Sequence, residues 1–278
     1  MKRLLTIELK KIWKNRASRV LTISYFVILS FIALIASIKF NLGNFQLHLA
    51  DQGIFNFPYI WHFTTYIAAI LKFFLGIVIV SMMANEYSYG TLKQNLIDGM
   101  SKQEFVLSKF LTVVLFALTS TVFIFLMSLI LGYSFSSYTE IGIVFSQMEY
   151  LLAYFFKLVG FFSFCLFLGV LVKRSAFAIG FLFVWNIVEG IAKGVLTFKI
   201  FPKSETAAYI MQFFPLESMS NLIVEPFTKL SIIKNIKTTI GATDVKDYDV
   251  HFYTILIVLV WTTIFIFLSY KIIQKRDL

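Results

Sequence analysis

The sequence predicts an all-α integral membrane protein of six transmembrane helices. Composition is the first reason. Hydrophobic residues make up 59% of the 278 and charged residues 14%, against about 45–50% and about 25% in ordinary soluble domains. The 33 Phe residues carry more apolar surface than a soluble core of this size hides. Apolar runs long enough to span a bilayer, about 20 residues each, are the second reason. The third is that Lys and Arg gather in alternate connections between those runs. This balance excludes an ordinary soluble enzyme and a disordered tail. A lone Cys165 excludes a disulfide framework and a cysteine-based metal site. His48, His62 and His251 are far apart and lack ligand spacing. The net charge of +10 reads as basic flanks on one side of a bilayer, not as a nucleic-acid surface.

Residues 1–19 come first. Within 2–16, Leu5, Leu9, Ile12 and Trp13 fall at i, i+4, i+7 and i+8 and share one helical face, with Arg3, Lys10 and Lys14 on the other. Such a helix lies in the interface beside anionic head groups of membrane lipids. The first span, 20–38, carries no charge. It follows a basic stretch as a signal peptide would, but it exceeds a usual apolar core and lacks a small-x-small cleavage site, so it reads as a retained helix.

The second span, 59–84, contains Lys72 close to mid-membrane. A lysine there costs on the order of 2.5–3.5 kcal/mol, so it is expected to face the bundle interior or a wet cavity. No acid lies within a turn or two on its own span, which leaves a partner on another helix, another subunit or a substrate. Spans three and four are 110–133 and 150–172; Lys157 in the latter reads as snorkelling to the outer surface. The fifth span is 175–192. Glu189 and Lys193 stand at i, i+4 with the acid first, the favourable order for a local pair. Lys72, Glu189 and Lys193 are the candidates for a pathway or an intersubunit contact. The sixth span, 252–270, is uncharged.

Basic residues mark the cytoplasmic side. They occupy the N-terminal arm (Lys2, Arg3, Lys10, Lys11, Lys14, Arg16, Arg19), the connection after span two (Lys93, Lys102, Lys109), Lys173–Arg174, and the tail (Lys271, Lys275, Arg276). Asn41–Pro58 and Ser134–Glu149 contain none. Both termini are therefore expected in the cytoplasm. The outer segment 195–250 reads as short helices over 204–214, ended by Pro215, over 216–224, stopped before Pro226, and over 230–237, followed by a polar loop from Gly241 to Asp249.

The connection 85–105 is the most informative stretch. Thr91–Ile97 is helix-compatible, and Gly99 suits the left-handed conformation that ends a helix. Ser101 and Glu104 have capping-box spacing, with Met100 and Phe105 placed as a hydrophobic staple. The result is a helical elbow of defined shape. On local physics, it fits a docking element and a well-capped connection equally.

Glu86-Tyr-Ser-Tyr-Gly90-Thr91-Leu92-Lys93, then Met100-Ser101-Lys102 and Ser108-Lys109, resembles the signature of ABC-2 type permeases, the membrane subunits of one class of ABC exporters. The chain has Ser-Lys where Ser-Arg is common. The resemblance extends to the basic amphipathic N-terminus, the six spans and the long outer segment. It implies a single permease domain over 1–278 in a bacterial cytoplasmic (inner) membrane. The elbow would be the coupling helix, with Glu86, Tyr89, Gly90, Thr91, Leu92, Ser101 and Glu104 meeting a separate ABC ATPase subunit. A second permease copy or homologue, and re-entrant or cap helices in the outer segment, are also implied. ATP and Mg²⁺ would sit on the ATPase and no cofactor on this chain, which has no phosphate-binding G-x-x-x-x-G-K-[ST] loop and is not itself an enzyme. Two rivals remain at this point: a scaffold or sensor that anchors an ATPase, and an ion-coupled carrier. The carrier would need broken helices in inverted repeats, and no such repeat is found.

Overall fold

The structure is a computed structural model that describes residues 2–38, 40–42, 45–47, 52–202, 206–229 and 246–276. Helix α1 (Lys2–Lys14) ends where the Asn15 side chain accepts from the Ser18 N–H and starts α2 (Arg16–Ser37). That cap places the start of α2 four residues before the expected span, because a polar residue there satisfies a donor the helix leaves unpaired. A short antiparallel hairpin follows, β1 (Phe40–Leu42) with β2 (Phe45–Leu47), inside a connection read as a plain loop.

The expected second span is two helices, α3 (Tyr59–Ile70) and α4 (Lys72–Ser88), bent by 45° at Leu71. Next come α5 (Thr91–Ile97), the 34-residue α6 (Lys102–Phe135), α7 (Ile141–Val144), α8 (Glu149–Val172) and α9 (Ser175–Val195), the last extended by a π-helical turn, Leu196–Ile200. Two short helices, α10 (Thr206–Met211) and α11 (Pro215–Asn221), precede α12 (Phe252–Lys275). Pro215 starts α11 at its first turn and does not merely stop α10. Its missing N–H costs nothing there. The helix expected over 230–237 and the polar loop from Gly241 to Asp244 lie outside the described residues.

Helix α8 is the axis of the bundle. It packs on α3, α4, α6, α9, α11 and α12, and most of its residues are buried. Small residues let α4 approach it closely. A Cβ on Gly76 would meet the Phe161 ring at 2.8 Å, and one on Gly169 would meet the Met83 Cβ at 2.9 Å. Hydroxyls then link helices through the apolar interior. Tyr25 (α2), Ser120 (α6) and Tyr154 (α8) form a triangle of hydrogen bonds of 2.6, 2.6 and 2.7 Å, and Thr64 (α3) meets Ser128 (α6) at 2.8 Å. Inter-helix bonds of this kind are worth about 0.6 kcal/mol on average in membrane bundles, so close packing carries most of the association.

Candidate functional site

The elbow and the charge cluster beneath it form the most organised polar site. Tyr89 caps α4, and Gly90 takes a left-handed φ of +66° that turns the chain into α5. At the far end Gly99 has φ +96°. Its N–H donates to the Leu96 carbonyl and that of Met100 to the Asn95 carbonyl, a double closure typical of a glycine-terminated helix. Ser101 and Glu104 then complete the capping box in both directions: the Glu104 N–H donates to Ser101 Oγ at 3.1 Å, and the Ser101 N–H to Glu104 Oε2 at 2.9 Å. The elbow's shape therefore rests on local chemistry.

Helix α5 lays Leu92 inward and leaves Tyr89 (73% exposed) and Ile97 (74% exposed) on the outside. A Cβ on Gly90 meets nothing within 4 Å, so within this chain the constraint at Gly90 is its left-handed backbone.

The base of the elbow is ionic. Glu86, at the end of α4, is 2% exposed. Its Oε1 accepts from Lys109 Nζ (2.6 Å) of α6 and Lys11 Nζ (2.9 Å) of α1, and its Oε2 from Thr91 Oγ1 (2.5 Å) of α5. Lys109, 1% exposed, also donates to Glu8 Oε2 of α1 at 2.5 Å. Lys11 lies 3.7 Å from Glu8 Oε1. Two carboxylates and two ammoniums thus balance in a pocket shared by α1, α4, α5 and α6. Partial burial works against the Lys11 charge, yet the Glu86 and Glu8 carboxylates outweigh it and hold its ammonium above the ordinary lysine range. A cavity of about 340 Å³ opens beside the cluster, lined by Lys11, Asn85, Glu86, Tyr89 and Thr91 among others.

This cluster adds to the reading of α1. Leu9 and Trp13 are exposed, Ile12 is buried, and the face turned to the bundle carries Glu8 and Lys11. Sequence reasoning missed Glu8 as a site residue. One signal was available: Glu8 is the sole acid among seven cations in residues 2–19, and Glu8, Lys11, Ile12 and Asn15 share a face.

The tail closes on the same end. Arg276 donates from Nη1 to Tyr87 Oη and to the Val170 carbonyl, both at 2.7 Å, and Lys102 Nζ reaches the Gln274 and Arg276 carbonyls at 3.1 Å. Helix α1, the elbow and the end of α12 therefore share one end of the bundle.

The intramembrane candidates separate. Lys72 stands at the first residue after the helix break, its ammonium 4.6 Å from the centroid of the Phe161 ring and 5.8 Å from that of Phe73. Aromatic faces attract a cation at such range. Glu189 and Lys193 do not pair with each other. Buried Glu189 accepts from Trp185 Nε1 (2.6 Å) and from the N–H groups of Leu216 (3.1 Å) and Glu217 (2.9 Å), which makes it the cap of α11. Unpaired N–H groups at a helix start outcompete an exposed ammonium for a buried carboxylate. Lys193 pairs with Glu217 at 2.5 Å. Nor does Lys157 snorkel: it is 4% exposed and donates to the Ser220 carbonyl at 3.3 Å, under the cap.

Apart from the one short hairpin, the described residues form a helical protein of the membrane class. Among the described residues, five helices are long and apolar enough to cross one, or six if bent α3–α4 is a single span. Residues 25–278 match the family described as a protein of unknown function, DUF2705, and the chain belongs to that family. No curated protein matches the chain.

Proposed function

We propose that this protein is the membrane-spanning permease subunit of an ATP-driven ABC transporter of the exporter kind. In this reading it works with a second permease copy or homologue and with ABC ATPase subunits that carry ATP and Mg²⁺. The observation that supports it best is the elbow. A seven-residue helix is bracketed by two left-handed glycines, restarted by a capping box and anchored through Thr91 to a buried four-charge cluster. Such bracing lets a push on α5 move as a unit with α1, α4 and α6, because Glu86 and Lys109 bind across all of them.

The mechanism is alternating access. Closure of the ATPases displaces the elbow, and the bundle opens toward the opposite side. The chain performs no bond chemistry. Bent α3–α4 is read as one span, giving six. Helix α1, α5 and the end of α12 lie together, which supports placing both termini in the cytoplasm of a bacterial cell.

The test is purification of the tagged full-length chain from native membranes. An ATP-hydrolysing subunit should accompany it, and a Tyr89→Ala/Ile97→Asp variant should stay membrane-inserted while losing that subunit. A chain that purifies with no ATP-binding partner, or whose partner ignores the elbow changes, overturns the proposal. For orientation, a cysteine at Thr139 should react with an impermeant thiol reagent outside intact cells and one at Asp98 should not; the native Cys165 is buried and stays silent.

A further inference from the structure

Helix α1 leaves a groove where it crosses α2 and α6. The cavity measures about 410 Å³ and is walled by Leu9, Ile12 and Trp13 of α1, Phe26 of α2, and Leu115 and Phe116 of α6, with Lys10 at its rim. That volume falls within the range of about 300–1,000 Å³ common to small-molecule sites. Its lining is almost wholly apolar. It reaches well into the bundle, since Phe26 lies ten residues after the start of α2, about 15 Å along the helix.

Lys10 is the one charged side chain among the groove's lining residues. The other exposed charges of this arm, Arg3, Lys14, Arg16 and Arg19, are also cationic. The lone acid of this arm, Glu8, is buried and bound to Lys109, so it offers these cations nothing.

We propose that this groove binds one anionic phospholipid, its acyl chain along Ile12, Phe26 and Phe116 and its phosphate held by Lys10 at the rim. An apolar slot that opens from helices long enough to span a membrane meets lipid first. A lysine at the rim, on an arm whose exposed charges are all cationic, selects a negative head group, and Trp13, 55% exposed, serves as an aromatic anchor at the interface. The lipid would fasten α1, and α1 carries Glu8 and Lys11 into the cluster under the elbow. The inference stands on the groove alone and holds whether or not an ATPase docks on α5.

Native mass spectrometry of the detergent-purified full chain tests it, with phosphatidylglycerol and phosphatidylcholine added in turn as probes. One phosphatidylglycerol should stay bound to the monomer under conditions that strip phosphatidylcholine. Lys10→Gln should weaken its retention about fivefold, the worth of one cation beside an anionic surface. Thr119→Trp, which fills the groove from α6, should abolish it, whereas Lys271→Gln at the end of α12 should change nothing. Equal retention of both lipids overturns the proposal, as does retention that survives Thr119→Trp. If Thr119→Trp instead dissociates a dimer and leaves lipid unchanged, the occupant is a second copy and the proposal fails.

Discussion

The two ends of the bundle solve one problem by different chemistry. At the elbow end, charges on separate helices bind each other: Lys109 and Lys11 bridge Glu86 and Glu8 across α1, α4 and α6. At the opposite end, the buried polar side chains bind backbone, and the Lys193–Glu217 pair is left at the surface. Glu189 caps α11, Lys157 meets the Ser220 carbonyl, and Tyr59 Oη donates to the Pro226 carbonyl at 2.6 Å. His62, stacked on Tyr150 with centroids 4.2 Å apart, contacts the Val224 carbonyl at 2.7 Å. A side chain that grips backbone fixes where a short segment lies. A cluster of mutually neutralising charges binds whole helices to one another. Under the proposed function, the second kind suits an end that moves as a body and the first an end that holds a cap in place.

The comparison is broken most severely at Lys109. Lys109→Met leaves Glu8 and Glu86 buried without their shared cation, a loss expected at about 3–5 kcal/mol, read as a large fall in the thermal midpoint of the purified protein. Adding Glu8→Gln should recover part of that loss, because one of the two stranded carboxylates is gone. A double variant no better than the single one would mean that the cluster is not held by charge balance.

At the cap end the expected losses are smaller. Glu189→Leu strands the N–H groups of Leu216 and Glu217 and should cost about 1–3 kcal/mol. Glu189→Gln retains an acceptor and should cost less. Lys193→Gln removes only an exposed pair and should fall within about 1 kcal/mol of the parent. Were Glu189→Gln as damaging as Glu189→Leu, the charge and not the capping would be what matters there.

The same contrast shows what was legible in the sequence. Capping at Ser101–Glu104 and the left-handed Gly99 are written within a few neighbouring residues, so the elbow could be read directly. The helical class and the apolar runs were equally plain. Glu8 and Lys109 stand 101 positions apart, and no local rule joins them. Glu189 with Lys193 misled for a related reason: the i, i+4 rule ranks local partners, whereas the free N–H groups of α11 arrive from a segment 27 residues on. The break at Leu71 has no breaker residue behind it. Neither Pro nor Gly occurs between Tyr59 and Phe74; at the break the Leu71 and Phe74 N–H groups donate three residues back, to the Ala68 and Leu71 carbonyls.

Gly90 sharpens the comparison further. Its surroundings are open but its φ is left-handed, so Gly90→Ala should cost about 1–2 kcal/mol, with larger residues costing little more. A steep rise from Gly90→Ala to Gly90→Trp in the isolated protein would return the constraint to space. Smaller still is Ser101→Ala, which removes half of the capping box at about 1 kcal/mol and should fray the start of α6 in hydrogen exchange without disturbing the cap end.

The central claim is that the elbow is a docking element braced by the cluster beneath it. The most direct test is a photo-crosslinking residue placed at Ile97, on the exposed face of α5, in the full-length protein in its native membrane, with the same residue at Thr139 on the opposite end as the comparison. The account predicts an adduct with an ATP-binding subunit from Ile97 and none from Thr139, and loss of the Ile97 adduct in a Lys109→Met background that still inserts. Adducts from Ile97 with lipid alone, or equal capture of that subunit from both positions, would contradict it.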